Sequence, residues 1–148
     1  MNFKCTKCGH TNSIPDGLRI TKCESCGGLF IVPAQFASEE NIYQLAGEAR
    51  ACRDFETALA HYEHILEADP SETEAYWGYL LSKYGIELSR DDELFFYRTE
   101  YSDFSKEPAL EKMMSSCPQE ALYYYEGLVN RISEAHALLL DACQRAKA

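Results

Sequence analysis

The chain has 148 residues, 46% of them hydrophobic and 26% charged, which supports either one ordinary domain or a small module attached to a medium one. Its formal charge of −10 repels a phosphate backbone, so nucleic acid is a poor default partner. No apolar run approaches the roughly 20 residues needed to span a bilayer, and Met1-Asn2-Phe3-Lys4-Cys5 carries no apolar signal-peptide core. A cytoplasmic location is expected, where thiols stay reduced and paired cysteines read as metal ligands first.

Residues 1–33 are rich in Cys, Gly, Thr and Pro and show no helical period. They contain Cys5-Thr6-Lys7-Cys8-Gly9, then, after fourteen residues between Cys8 and Cys23, Cys23-Glu24-Ser25-Cys26-Gly27. Two residues between cysteines let both sulfurs of a pair face one metal from a tight turn, and a glycine after the pair lets the backbone fold back. Two such knuckles supply the tetrahedral sulfur set that zinc prefers, with Cys5, Cys8, Cys23 and Cys26 as ligands and one structural Zn2+. A closed set leaves no coordination position for water, so the metal would hold structure rather than do chemistry. Disulfides and an iron–sulfur cluster are the competing readings; spacing and compartment favour zinc. His10 could replace a ligand, but with four cysteines present it reads as a solvated loop residue. The β-like runs 17–21 and 29–32 flank the second pair, and Pro15-Asp16-Gly17 is a turn signal. Lys4, Lys7, Arg19 and Lys22 against Asp16 and Glu24 give this segment +2, leaving −12 for residues 34–148. Thiolate charge would bring the metal-loaded segment close to neutral.

After a linker at 34–38 the periodicity becomes helical. Ser38 is the expected cap of a first helix from Glu39, with Ile42, Leu45, Ala46 and Ala49 as its apolar stripe. Arg53-Asp54 is a short turn; Phe55, Ala58, Leu59, Tyr62, Ile65 and Leu66 form a second stripe, which Asp69-Pro70 ends. Ser71 and Glu74 have the spacing of a capping box for a third helix that Gly85 closes. Residues 86–108 read either as a short helix from Asp91 or as an irregular aromatic loop. Ala109–Ser115 forms a short helix, and Pro118 opens a long last one. Along that helix Ala121, Tyr125, Leu128, Ile132, Ala135, Leu139 and Ala142 make a heptad-like seam, expected to pack on the helix pair from residues 39–69. A homodimer through the same seam is the rival.

The remaining candidates have bland readings. His61 and His64 sit on a polar helix face, Cys52, Cys117 and Cys143 read as buried small hydrophobes, and Tyr123-Tyr124-Tyr125 covers enough of a helix to expose at least one ring. No catalytic residues emerge and no enzyme activity is expected; the partner-binding residues are unknown at this level.

Residues 1–33 resemble a zinc ribbon of the rubredoxin-knuckle type. Residues 39–84 resemble tetratricopeptide repeats: Leu45, Ala46, Ala49, Ala58, Tyr62, Ile65 and Pro70 match that spacing, and Ile42 to Tyr76 and Leu45 to Tyr79 are 34 residues apart. The repeat pattern stops after Gly85, with no matching second helix in view. Together with Ala75-Tyr76-Trp77-Gly78, Tyr84-Gly85-Ile86 and Arg98-Thr99-Glu100-Tyr101, these features are similar to a bacterial family in which a zinc ribbon and tetratricopeptide-like helices precede a Toll/interleukin-receptor (TIR) domain. The expected fold is therefore mainly α with a small β zinc ribbon: ribbon at 1–33, linker at 34–38, and a tetratricopeptide-like helical domain at 39–148. The implied function is a non-catalytic protein-interaction module binding a protein partner or a fused effector domain. The alternatives are the regulatory N-terminal segment of a longer TIR-type effector and a nucleic-acid-binding ribbon. No effector domain follows Lys147-Ala148 in this sequence.

Overall fold

The computed structural model describes residues 2–5, 10–14, 20–25, 27–31, 36–88, 93–98, 100 and 102–147. It is mainly helical, with three small antiparallel hairpins. In chain order the elements are β1 (Asn2–Lys4), β2 (Thr11–Ser13), β3 (Ile20–Lys22), β4 (Leu29–Ile31), α1 (Phe36–Ala51), α2 (Phe55–Ala68), α3 (Thr73–Tyr84), β5 (Ile86–Leu88), β6 (Leu94–Phe96), a 3₁₀ turn (Phe104–Lys106), α4 (Pro108–Ser116) and α5 (Gln119–Lys147). The strands pair as β1–β2, β3–β4 and β5–β6.

Helix α1 begins at Phe36, ahead of the predicted Glu39, so part of the expected linker is already helical. Its inner face is also rotated from the predicted stripe: Tyr43 and Ala46 are buried while Leu45 is 41% exposed. Helix α2 starts as read, with the Asp54 carboxylate accepting from the Thr57 N–H at 3.3 Å and the Thr57 hydroxyl at 2.7 Å. Tyr43, Ala46, Ala58, Tyr62, Ile65 and Ala75 close a first core between α1, α2 and α3. Gly78 permits a close approach in it: a Cβ there would overlap the Tyr62 ring atoms. A glycine in mid-helix costs roughly 1 kcal/mol of propensity, and here it makes room for the aromatic ring.

The predicted capping box at Ser71 and Glu74 does not form. Ser71 instead donates its hydroxyl to the Asp69 carboxylate at 2.6 Å, Glu72 occupies the cap position, and Glu74 accepts from the Tyr125 hydroxyl at 2.5 Å. Glu74 is only 2% exposed. A carboxylate at that depth needs a donor more than the helix end needs a second cap. Glu72, also buried, accepts from Tyr43 at 2.9 Å.

Among the described residues between α3 and α4 the chain departs from the irregular loop that the sequence allowed. Strands β5 and β6 make a hairpin with Ile86 opposite Phe96, and the possible helix start at Asp91 lies outside the described residues. The hairpin lands on the α1–α2 turn. Arg53 stacks over the Tyr97 ring at 3.9 Å, Arg98 reaches Glu56 at 3.1 Å, and buried Arg50 lies 4.0 Å from Glu87 while donating to the Tyr62 hydroxyl at 3.4 Å. Burial opposes the charge on Arg50, but Tyr62, Glu87 and Glu74 more than offset it and raise the guanidinium above its usual pKa. Helix α4 then runs antiparallel to α3: Lys83 meets Glu107 at 2.8 Å at one end, and Thr73 meets Ser116 at 3.0 Å at the other.

Helix α5 does not pack its seam on the α1–α2 pair. The apolar faces of those two helices are already closed on each other and on α3. Ala121, Tyr125, Leu128 and Ile132 join the second core instead, with Trp77, Leu80, Leu81, Tyr84, Ile86, Phe104 and Met113. Tyr125 meets Trp77 edge-on at 5.3 Å, and buried His136 meets Tyr84 at 5.0 Å, so α5 runs parallel to α3. The His136 Nε2 also lies 2.7 Å from the Glu100 carbonyl oxygen. Beyond His136 the seam loses its cover: Leu139 is half-buried, Ala142 is exposed and Leu138 is 69% exposed.

Two substitution pairs check this packing. Gly78→Ala should destabilise by about 1–3 kcal/mol because the Tyr62 ring must move, whereas Gly127→Ala, with nothing within 4 Å of its Cβ, should stabilise by about 0.5–1 kcal/mol. Leu128→Asp should cost at least about 3 kcal/mol, and Leu138→Asp less than about 0.5 kcal/mol. Urea denaturation of the four variants gives both contrasts.

Candidate metal centre

The first two hairpins have the same construction. Each places a cysteine directly after its first strand: Cys5 follows β1 and Cys23 follows β3. Lys4 pairs with Thr11 and Lys22 with Leu29, so each hairpin ends in a six-residue loop, 5–10 or 23–28. The two loops close in the same way. The Cys5 N–H donates to the His10 carbonyl at 2.8 Å and the Cys23 N–H to the Gly28 carbonyl at 3.0 Å. Within the second loop the Gly27 N–H returns to the Cys23 carbonyl at 2.9 Å. Gly27 makes that reversal at φ +71°, a conformation that disfavours any residue with a Cβ. Cys5 and Cys23 are 4% and 3% exposed. Cys8 and Cys26 lie outside the described residues, and among the described residues no group of three or more His, Cys, Asp or Glu gathers as a metal site. His10 is exposed, in keeping with its reading as a loop residue.

Asn12, which sequence reasoning passed over, links the two loops. It is 2% exposed. Its Nδ2 donates to the His10 carbonyl at 3.2 Å and to the Cys23 sulfur at 3.5 Å, while its Oδ1 accepts from the Glu24 N–H at 2.9 Å. One carboxamide thus holds the second loop against the first hairpin and aims an N–H at a sulfur. That donor favours the thiolate over the thiol, as a metal ligand requires. The one available signal in the sequence was an asparagine at a strand position, where that residue is depleted.

The hairpins are seated on the helices. Ile20 and Leu29 pack against the second core, and β4 approaches both α3 and α5. Beneath them, burial, with Glu74 and then Cys117 and Cys5, pushes the Tyr125 hydroxyl well above its ordinary pKa.

The other sequence candidates do not gather into a site. His64 is exposed and His61 half-buried on α2. Cys143 is half-buried, and Cys52 is exposed because it falls in the α1–α2 turn, not the apolar interior expected of it. Tyr123 is 88% exposed and Tyr125 buried, the split that three consecutive helix positions impose. Cys117 is half-buried beside Glu74 and Glu126; burial and those carboxylates push its thiol up to about 11. Near pH 8 its thiolate fraction should therefore be about 100-fold below that of a cysteine at the ordinary value. Iodoacetamide should label exposed Cys52 well before Cys117, and peptide mapping over a time course reads the order directly.

No protein-family model matches the chain, and the searches of curated proteins and of solved structures return no match.

Proposed function

We propose that residues 1–33 form a structural zinc ribbon, with Cys5, Cys8, Cys23 and Cys26 holding one Zn2+, and that the helices form a tetratricopeptide-like protein-interaction module stapled by it. The observation that carries the reading is the matched pair of cysteine loops clamped together by Asn12. Cysteines at the mouths of two loops closed by the same backbone bond, with an N–H directed at one sulfur, suit a closed tetrahedral site. The ion would supply folding energy that a segment this short cannot obtain from its own apolar surface. The helical half of the reading is supported by the antiparallel run α1–α2–α3 and the Tyr62–Gly78 contact. In this reading α4, which lies antiparallel to α3 beyond the β5–β6 hairpin, would take the place of the second helix missing from the sequence pattern of the second repeat. An excess of −12 on residues 34–148 favours protein over nucleic acid as the partner. In this reading the chain is a non-catalytic adaptor or regulatory module.

Purified under reducing conditions, the protein should contain one zinc per chain by elemental analysis, and no iron. Cys23→Ser should lose the metal and the hairpin resonances. Because Ile20 and Leu29 contact the helical core, it should also lower helical stability by about 1–2 kcal/mol. Asn12→Ala should weaken zinc retention about 10–100-fold against a competing chelator. Asn12→Asp should be worse, since it replaces the N–H donor facing the sulfur with an anionic carboxylate oxygen. Metal-free protein with intact hairpins would overturn the assignment.

A further inference from the structure

A groove of about 460 Å3 runs between α2, α3 and the start of α4. Its size falls within the range of ligand-binding clefts, about 300–1,000 Å3. Leu66, Tyr76 and Tyr79 line it with apolar surface, Glu63 and Glu67 stand on its α2 wall, and Lys112 stands on the α4 wall. Glu63 and Glu67 are one helical turn apart, both are exposed, and among the described residues neither enters an ion pair. Glu107 also borders the groove, but it is buried and engaged by Lys83 at 2.8 Å and by the Tyr84 hydroxyl at 3.2 Å. The negative charge left to act on a ligand is therefore the Glu63–Glu67 pair, beside an apolar floor and opposite one lysine.

We propose that this groove binds an extended peptide segment of a protein partner in which a lysine or arginine neighbours a large apolar side chain. The proposal rests on the protein-interaction reading above and gives it a surface and a partner chemistry. The basic side chain sits between Glu63 and Glu67, which are spaced to accept from one guanidinium or ammonium group together. The apolar side chain covers Leu66 and Tyr79, and Lys112 faces a backbone carbonyl or carboxylate of the peptide. Charge selects this occupant over the alternatives. A second copy of the chain brings −10 toward the acidic wall, and a nucleic acid brings phosphates.

The test is selection of short random peptides displayed on phage against the purified 148-residue chain, followed by fluorescence anisotropy with the synthesised consensus peptide. The expected consensus pairs Lys or Arg with Leu, Ile or Phe. Its affinity should fall about tenfold or more in Glu63→Lys/Glu67→Lys. It should hold in Glu120→Lys/Glu134→Lys, which changes the net charge equally at exposed positions on α5. If circular dichroism shows that the reversal disturbs α2, Glu63→Gln/Glu67→Gln gives the same readout. Selected peptides without a basic residue, or with equal affinity for both double variants, overturn the groove assignment alone. Failure to select any peptide overturns the groove and the protein-interaction reading together.

Discussion

The burial of α3 on nearly every side leaves its polar groups dependent on partners inside the protein; the Trp77 indole N–H has none among the described residues, but the partners of the others hold the neighbouring helices in place. Ten of its twelve residues are buried, so the helix has almost no water-facing stripe on which to leave a charge. Glu74 is met by Tyr125 of α5, Thr73 by Ser116 of α4, and Glu72, capping the helix, by Tyr43 of α1. Near the other end Lys83 and Tyr84 share the carboxylate of Glu107, which precedes α4. Apolar contact supplies most of the stabilisation, but it is weakly directional. A buried hydrogen bond has a fixed partner and a fixed geometry, and leaving it unmade costs about 1–3 kcal/mol. These bonds therefore decide which helix lies where around α3.

The same constraint couples the N-terminal hairpins to the helices. Tyr125 donates to Glu74 and belongs to the core against which Ile20 and Leu29 pack, and the charge of Cys5 adds to the rise in its pKa. Ile20 and Leu29 extend the α3–α5 core into β3 and β4. In the proposed reading, a metal that orders the cysteine loops also orders surface that the helical core is built to cover. Such a ribbon is part of the domain's packing, not an appendage on a tether, and metal binding becomes part of the folding free energy of the whole.

The β5–β6 hairpin shows how an insertion can be accommodated between two packed helices. It leaves the end of α3 through Gly85, whose carbonyl accepts from the Tyr97 N–H at 2.7 Å, and reaches back over the α1–α2 turn. Its attachment relies on arginines of different worth. The Arg98–Glu56 pair is exposed on the glutamate side and contributes little. Arg53 holds φ at +60°, a cost of roughly 1–2 kcal/mol for a residue with a Cβ. Its guanidinium lies over the Tyr97 ring, while Arg50 on α1 is buried and pairs with Glu87 of β5.

The sequence by itself determined the cysteine spacing, the presence of two helices over 39–69, the apolar stripe of the second, the ends at Asp69-Pro70 and Gly85, and the length of the last helix. Each of these depends on residues within a few positions of one another, where turn chemistry and periodicity act directly. Leu45, Glu74, Asn12 and the α5 seam were not legible in the same way. Leu45 fits a helical stripe yet is exposed, because the approach of α2 selects Tyr43 and Ala46. Glu74 fits a capping box by spacing but bonds a tyrosine 51 positions away. Asn12 shows no local sign of its role, which exists only once the second loop arrives beside it with the Cys23 sulfur and the Glu24 N–H. The seam of α5 specifies that some apolar surface must cover it and says nothing about which. α3 and the hairpins cover it because α1 and α2 have already spent their apolar faces on each other. Local chemistry fixes where elements begin and end; their partners are fixed by which buried polar groups and open apolar faces remain once the chain has folded around α3.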